Sequence, residues 1–277
     1  MGRKLVYITV KTYPTLSKKY DELVCTAGIC EDGSWIRLYP LPFRKLEYEQ
    51  KYKKWQWIEV DVERRTQDFR PESYRVLNLE NLKIIPATSN NVDWDERKQI
   101  IFKTEKVFTN KAEIIAFTKT NPPSRTLLTF KPAKIVKFYA TPTEREWSKD
   151  KLELIKEKAK QLSLFQTTEE VIKEFEVVAK LPYEFRYVFT DDAGIESDLM
   201  IEDWEVGALY FNCLKNAEGN EAIALEKVKE KYWDEFINKK DVFFFLGTRL
   251  RDQRRSPNPF SIVGVFYPPI DKQGKLF

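Results

Sequence analysis

"VCTAGICEDGSWIRLYPLPF", residues 24–43, reads as two β-prone runs joined at Asp32-Gly33. Asp-Gly between alternating apolar residues signals a hairpin with a two-residue turn. Glu31 then stands opposite Ser34, Cys30 opposite Trp35, Gly28 opposite Arg37 and Thr26 opposite Tyr39. Because successive side chains leave opposite faces of a strand, Ile29, Ile36, Ala27 and Leu38 form the expected core side. The other side carries Trp35, Arg37 and Tyr39 above the small Thr26, Gly28 and Cys30. Two readings of that side are open. It is a platform on which rings stack on bases and a guanidinium pairs with phosphate, or it is covered by the following helix, with Arg37 capping a carboxylate.

The chain around this hairpin has 277 residues, enough for one large or two ordinary units with a sizeable core. It shows neither a charged-then-apolar leader nor an apolar run of membrane-spanning length, so a cytoplasmic protein with no membrane partner is expected. Three cysteines make no disulfide framework and read as free thiols of a reducing compartment. The absence of histidine excludes a Ser-His-Asp triad, a Cys-His pair, a histidine base and a His-rich metal site. A net charge of +4 is mild, so any polyanion must be held by local clusters.

Short β-prone segments recur: KLVYITV, LVCTAGI, WIRLY, WIEVDV, ENLKII, RTLLTF and AKIVKFYA. Punctuated by Pro, Asp-Gly and Asn-Asn, they predict one or two small β-barrels. Helices are expected over RKLEYEQKYKKW and over DERKQIIFKTEKVFTNKAEIIAFTK, the latter capped by Asp93 or Asp95. Thr143 and Glu146 stand at capping-box spacing, and Trp147, Leu152, Ile155, Ala159 and Leu162 approximate one helical stripe. Beyond it come the strand YEFRYVF, a turn at DDAG, and a helix in NEAIALEKVKEKYWDEFI that buries Leu225, Val228, Tyr232 and Phe236. DVFFFLG and FSIVGVFY are continuous apolar runs, the pattern of strands buried on both faces. The expected architecture is α+β. An N-terminal OB-like β-barrel domain with helical insertions spans residues 1–142, a connecting helix and linker 143–180, and a C-terminal mixed α/β unit 181–277.

An early strand, a loop containing Lys18, then CTAG, a glycine turn and WIRLYP resemble the start of the dual-OB-containing domain proteins, prokaryotic proteins linked to nucleic-acid modification and conflict systems. The likeness rests on Cys25, Ala27, Gly28, Gly33, Trp35, Ile36 and Arg37, and departs where this chain reads RLYP in place of Arg-Pro-Val. It implies OB-type barrels and the handling of nucleic acid, with a nuclease or modification enzyme as partner in a prokaryotic defence setting. It implies no particular reaction.

Other constellations carry chemistry of their own. LPFRKLEYEQKYKKWQWIEVDVERR interleaves Arg44, Lys45, Lys51, Lys53 and Lys54 with Phe43, Tyr48, Tyr52, Trp55 and Trp57. This suits a single-strand groove, and equally an amphipathic helix with an aromatic core side. GTRLRDQRRSPNPF sets Arg249, Arg251, Arg254 and Arg255 between two apolar strands, either as an oxyanion clamp or as a solvated connection. The acidic DDAGIESDLMIEDWE offers Asp198, Glu202, Asp203 and Glu205 as candidate ligands of Mg²⁺ or Mn²⁺, or as a patch docked on the protein's own arginines. Cys25 and Cys30 leave opposite faces of one strand, which argues against zinc. Cys30 falls on the presenting side, while Cys25 and Cys213 read as buried structural thiols.

These readings converge on a non-catalytic nucleic-acid-binding or accessory protein without a cofactor. DNA or RNA is expected at Lys18, Trp35, Arg37, Tyr39, Arg44, Lys51, Lys54, Arg249, Arg251, Arg254 and Arg255. The alternatives are a divalent-metal enzyme acting on nucleic acid or a nucleotide through the acidic segment, and a protein-binding scaffold that uses the same aromatic faces.

Overall fold

The computed structural model describes residues 2–17, 21–41, 43, 46, 51–86, 93–103, 106–150, 152–153, 157 and 179–270. The N-terminal sheet contains β1 (Gly2–Lys11), β2 (Thr15–Ser17), β3 (Asp21–Cys30), β4 (Trp35–Leu41), β5 (Trp57–Arg64), β6 (Ser73–Val76) and β7 (Lys83–Ile85). Five of them close into a barrel in the order β1-β3-β4-β6-β5, with β5 pairing back onto β1. β4 and β6 run parallel, and the other ring neighbours are antiparallel. Alternate residues fill the barrel as the pleat dictates: Val6 and Ile8 from β1, Ile36 and Leu38 from β4, Ile58, Val60 and Val62 from β5.

The hairpin turn holds three residues, not two. The Gly33 N–H donates to the Cys30 carbonyl at 2.8 Å, and Gly33 closes the turn at φ 80°, where glycine carries no Cβ penalty. The extra residue slips the register by one, so that Ile29 faces Trp35, Gly28 faces Ile36, Ala27 faces Arg37 and Thr26 faces Leu38. A one-residue slip exchanges the faces of one strand relative to the other. Ile36, Leu38 and Cys30 therefore point into the barrel, while Trp35 shares the outer face with Ile29 and Ala27. Gly28 is fixed by crowding, since an added Cβ would lie 2.2 Å from the Tyr7 carbonyl oxygen.

That outer face is covered by the C-terminal part of the chain. β8 (Val107–Phe108), β9 (Leu127–Phe130), β13 (Phe243–Thr248) and β14 (Phe260–Phe266) form a second sheet in the order β14-β13-β9-β8. Leu127, Phe245, Val263 and Phe266 on one of its faces pack with Val10, Ala27, Ile29 and Trp35 of the barrel and Ile101 of α1 (Trp94–Ile101). Trp35 meets Phe245 edge-on at 5.4 Å and is 5 % exposed. A bulge between Ile8 and Val10 turns Val10 outward into this layer. The sheet's other face, with Leu128, Phe130, Phe244, Leu246 and Ile262, belongs to the main C-terminal core. That core also takes side chains from β10 (Lys134–Pro142), β11 (Tyr183–Thr190) and β12 (Glu196–Met200), a three-stranded antiparallel sheet. Two helices close it: α3 (Trp204–Asn216), and α4 (Glu221–Lys229), which widens to π pitch over Glu230–Glu235 and ends with Phe236–Lys239. The two apolar runs are thus buried on both faces, as expected of their pattern.

Three expectations change. Residues 51–56 of the basic aromatic segment are not helical. Trp55 adopts φ 68°, held by its N–H to the Ile8 carbonyl and by the Ile8 N–H to the Gln56 carbonyl. The helix expected across residues 95–119 is two, α1 capped by Asp93 and α2 (Lys111–Lys119) capped by Asn110, with β8 between them. The division at residue 142 also moves, because β9 pairs with β13 and β10 with β11, which places residues 107–142 with the C-terminal sheets. Most of the expected connecting helix lies outside the described residues.

Trp35→Ala is expected to destabilise the protein by about 3–5 kcal/mol, the usual cost of emptying a packed aromatic site. Urea unfolding measures it, and an unchanged midpoint would contradict the burial of this ring.

Candidate nucleic-acid interface

The β5–β6 loop, residues 65–72, and the β13–β14 loop, residues 249–259, meet at one edge of the molecule. Asp68 organises the first loop by accepting from the backbone N–H and the guanidinium of Arg70. Burial works against the Asp68 carboxylate, yet the Arg70 bonds and charge bring it down to about 2. Arg70 also donates to the Thr248 carbonyl at 2.6 Å, which clamps the barrel loop to the end of β13. The second loop winds through turns in which the Gln253 N–H donates to the Arg249 carbonyl and the Ser256 N–H to the Asp252 carbonyl. Gln253 is buried beneath it, and its amide donates to the Thr118 carbonyl of α2 at 3.4 Å.

This anchoring leaves a basic rim facing outward. Arg251, Arg254 and Arg255 are exposed. The Arg254 guanidinium lies 4.6 Å from the centre of the Phe69 ring and donates to Asn121 Oδ1 at 3.4 Å. Lys119 Nζ donates to the Ser256 carbonyl at 3.4 Å. On the barrel side, the Arg65 guanidinium lies 5.1 Å from the half-buried Tyr39 ring. Each guanidinium over a ring gains cation–π attraction while keeping an edge for oxyanions. Arg65, Phe69 and Lys119 were not singled out in the sequence; the run RRTQDF, cations just before an aromatic, is the signal that marks two of them.

The remaining expected contacts scatter. Trp35 and Arg37 are interior, which corrects the open-platform reading: once the register slips, their face meets the C-terminal sheet. Arg37 donates to Ser73 Oγ at 3.3 Å, Thr126 Oγ1 at 3.2 Å and the Thr126 carbonyl at 3.4 Å, with no carboxylate in ion-pair contact among the described residues. Glu72 instead accepts from the Thr126 N–H and hydroxyl at 2.8 and 2.6 Å. Lys51 is exposed and Lys54 is buried. Arg249 is engaged by Glu202 at 2.5 Å. Lys18 and Arg44 lie outside the described residues. Cys30 is a correction too: it lines the barrel interior, and burial pushes its thiol up, as it does those of Cys25 and Cys213.

The acidic candidates are likewise each paired with a cation of the chain. Asp198 binds Arg186 at 2.9 Å, Glu202 binds Arg249, and Asp203 and Glu205 bind Lys54 at 2.9 and 3.1 Å. Among the described residues no cluster of three His, Cys, Asp or Glu could hold a metal ion. The Lys54–Asp203 pair joins the barrel to α3, where Asp203 is the N-cap and also accepts from the Val265 N–H at 3.1 Å. Burial opposes the Lys54 ammonium, but Asp203 and Glu205 outweigh it and hold its pKa above that of an ordinary lysine. Burial pushes Asp203 up to about 6 against the pull of Lys54.

Comparison with known proteins places residues 107–277 in a match to the family described as Domain of unknown function (DUF8757), and residues 2–103 in a match to Domain of unknown function (DUF8758). No curated protein matches the chain. A solved structure titled "Structure of murine DNA binding protein bound with ds DNA" is 10% identical, covers 97% of this chain and 95% of its own, and superposes with a TM-score of 0.31. Among the described residues no helix is long and apolar enough to cross a membrane.

Lys54→Met is expected to cost about 3–5 kcal/mol, because it strands a buried carboxylate. Asp203 in the fold titrates near 6, above the value of about 3.9 for an unfolded aspartate, so protonation favours the fold. The group's contribution is complete below the unfolded value and is lost as pH rises through the folded one. Removing the ammonium enlarges that upward shift, so the penalty of Lys54→Met is expected to be largest in mildly alkaline buffer and to shrink in mildly acidic buffer. Urea unfolding of both proteins across that range checks it, and a penalty independent of pH would refute it.

Proposed function

The chain belongs to the family described as Domain of unknown function (DUF8757), and we propose that it binds nucleic acid, as a non-catalytic or accessory protein, through the basic rim between its two loops. The observation that carries this reading is the outward set of Arg251, Arg254 and Arg255 on a loop pinned by Gln253, beside Lys119 and the ring of Phe69, with Arg65 at the start of the Phe69 loop. Guanidiniums bind phosphate oxygens bidentately, and interspersed ring faces accept bases.

The barrel supports the same reading. Counting its five strands alone, the ring runs 1-2-3-5-4 with the third and fifth parallel, the arrangement of an OB-type Greek-key barrel, which binds oligonucleotides on its second and third strands and through the loop between its fourth and fifth. Here the second and third strands are covered by the chain's own sheet. The loop between the fourth and fifth, residues 65–72, stays at the surface and meets the arginine loop. Recognition is thereby moved from the barrel wall to its rim. The metal-dependent enzyme finds no such support, since its carboxylates are spent on the protein's own cations. Nothing in the geometry or the matches supports a partner nuclease or a defence setting.

Fluorescence titration with single-stranded and duplex oligonucleotides across a salt series tests the proposal. Binding is expected to fall steeply with salt, and the Arg251→Ala/Arg254→Ala/Arg255→Ala variant to flatten the log–log slope by about 2–3, the counterions released by three phosphate contacts. Binding to no oligonucleotide even at low salt would overturn the reading and favour the protein-binding scaffold.

A further inference from the structure

Phe69 sits in the β5–β6 loop, outside every apolar core. The other described phenylalanines are in, or packed against, one of the cores, whereas Phe69 joins none and is half-exposed. A single surface ring means little by itself, but this one is mounted. Its neighbours in the chain, Asp68 and Arg70, are 1 % and 5 % exposed and are bonded to each other at 2.6 Å. The Asp68 N–H donates to the Arg65 carbonyl at 3.1 Å and the Ser73 N–H to the Arg70 carbonyl at 3.2 Å, so the backbone is tied on both sides of the ring. Arg70 also fastens the loop to the Thr248 carbonyl. Over the ring lies the Arg254 guanidinium, 4.6 Å from its centre, on the loop that Gln253 anchors. Arg254 is itself exposed and donates to Asn121 Oδ1 at 3.4 Å. Among the described residues the nearby Asp252 carboxylate pairs with Arg249 and Arg251, and none is in ion-pair contact with Arg254.

We propose that Phe69 and Arg254 form a stacking platform for an unpaired base, so that the ligand of the rim is single-stranded nucleic acid rather than duplex. This inference deepens the nucleic-acid reading and rests on it. A guanidinium is planar, stacks on rings and on bases alike, and keeps its edge N–H groups for phosphate oxygens. With Phe69 on one side of it, the exposed Arg254 has its other side open, where a base makes the third layer. A base inside a duplex is covered on both faces by its neighbours and shows only its edges in the grooves. The platform therefore serves a strand whose bases are unstacked, and a duplex meets the rim through its backbone alone. Both supports are fixed by their own loops before a ligand arrives, which spares binding the cost of ordering them.

Fluorescence anisotropy of the full chain with dye-labelled probes tests the proposal, the probes being oligo-dT, an abasic strand of the same length and phosphate count, and a duplex. The wild-type protein is expected to bind oligo-dT about five- to a hundred-fold more tightly than the abasic strand, the range for one stacked base. Phe69→Leu keeps an apolar side chain but removes the π face. It should abolish most of that preference and leave abasic and duplex binding unchanged. Arg254→Lys keeps the charge and loses the plane, so it should weaken oligo-dT binding about five-fold or more with the salt slope unchanged. The comparison of oligo-dT with the abasic strand needs no variant, so it decides even if a substituted protein fails to fold. Equal affinity for those two strands, or a folded Phe69→Leu that keeps the full preference for oligo-dT, would overturn the platform and leave the nucleic-acid reading standing. Binding to none of the probes at low salt would overturn both.

Discussion

One apolar layer, pressed between the outer wall of the barrel and one face of the C-terminal sheet, sets the terms for the rest of the molecule. Val10, Ala27, Ile29 and Trp35 supply one side, and Leu127, Phe245, Val263 and Phe266 the other. Each buried Val, Leu, Ile or Phe among them contributes about 1.5–3 kcal/mol, so the layer outweighs any single polar contact across the junction. Its geometry fixes which loops can meet. With the outer faces of β3 and β4 covered by the C-terminal sheet, the loops free to meet there are those of the rim, where residues 65–72 reach residues 249–259.

The polar groups around this layer are arranged by the same pressure. Buried ions need partners, and here several reach across the junction: Arg37 to Thr126, Lys54 to Asp203, and Arg70, already paired with Asp68, to the Thr248 carbonyl. Several cations that looked available for a polyanion are therefore consumed within the fold. The charges that remain outward are those whose backbone sits in turns above an anchored residue, as Arg254 and Arg255 do above Gln253.

Strands were legible because β-branched and aromatic alternation is local, and β1, β3, β4, β5, β11, β13 and β14 all lie where the segments KLVYITV to FSIVGVFY place them. The double burial of β13 and β14 was legible for the same reason, since an unbroken apolar run leaves no residue for water. The exposure of Trp35 and Arg37 was not. It turned on a single residue in the turn at Glu31-Asp32-Gly33, and Asp-Gly serves a three-residue loop with a left-handed glycine as readily as a two-residue one. The segment ending KYKKW misled differently. Its aromatics and lysines have helical spacing, but the pairing of Trp55 and Gln56 with Ile8 overrides local preference. The rim was half legible: the arginine loop stood out by composition, while its neighbours Arg65, Phe69 and Lys119 come from two other segments that only tertiary contact brings near.

The two-sided burial of β13 bears on how this chain can be divided. Residues 2–103 and 107–277 correspond to separate families, which invites expression of either piece alone. A fragment ending near residue 103 would open a wall of Trp35, Ile29 and Val10 to water, and its counterpart would open Phe245 and Phe266. Such surfaces resemble a core cut in half, as obligate interfaces do. The exposed FFFLG strand is moreover the uncharged, aromatic, proline-free kind of segment that stacks with its own copies. The halves are thus better regarded as subunits of an obligate complex that happen to share one polypeptide, each the other's solubility partner.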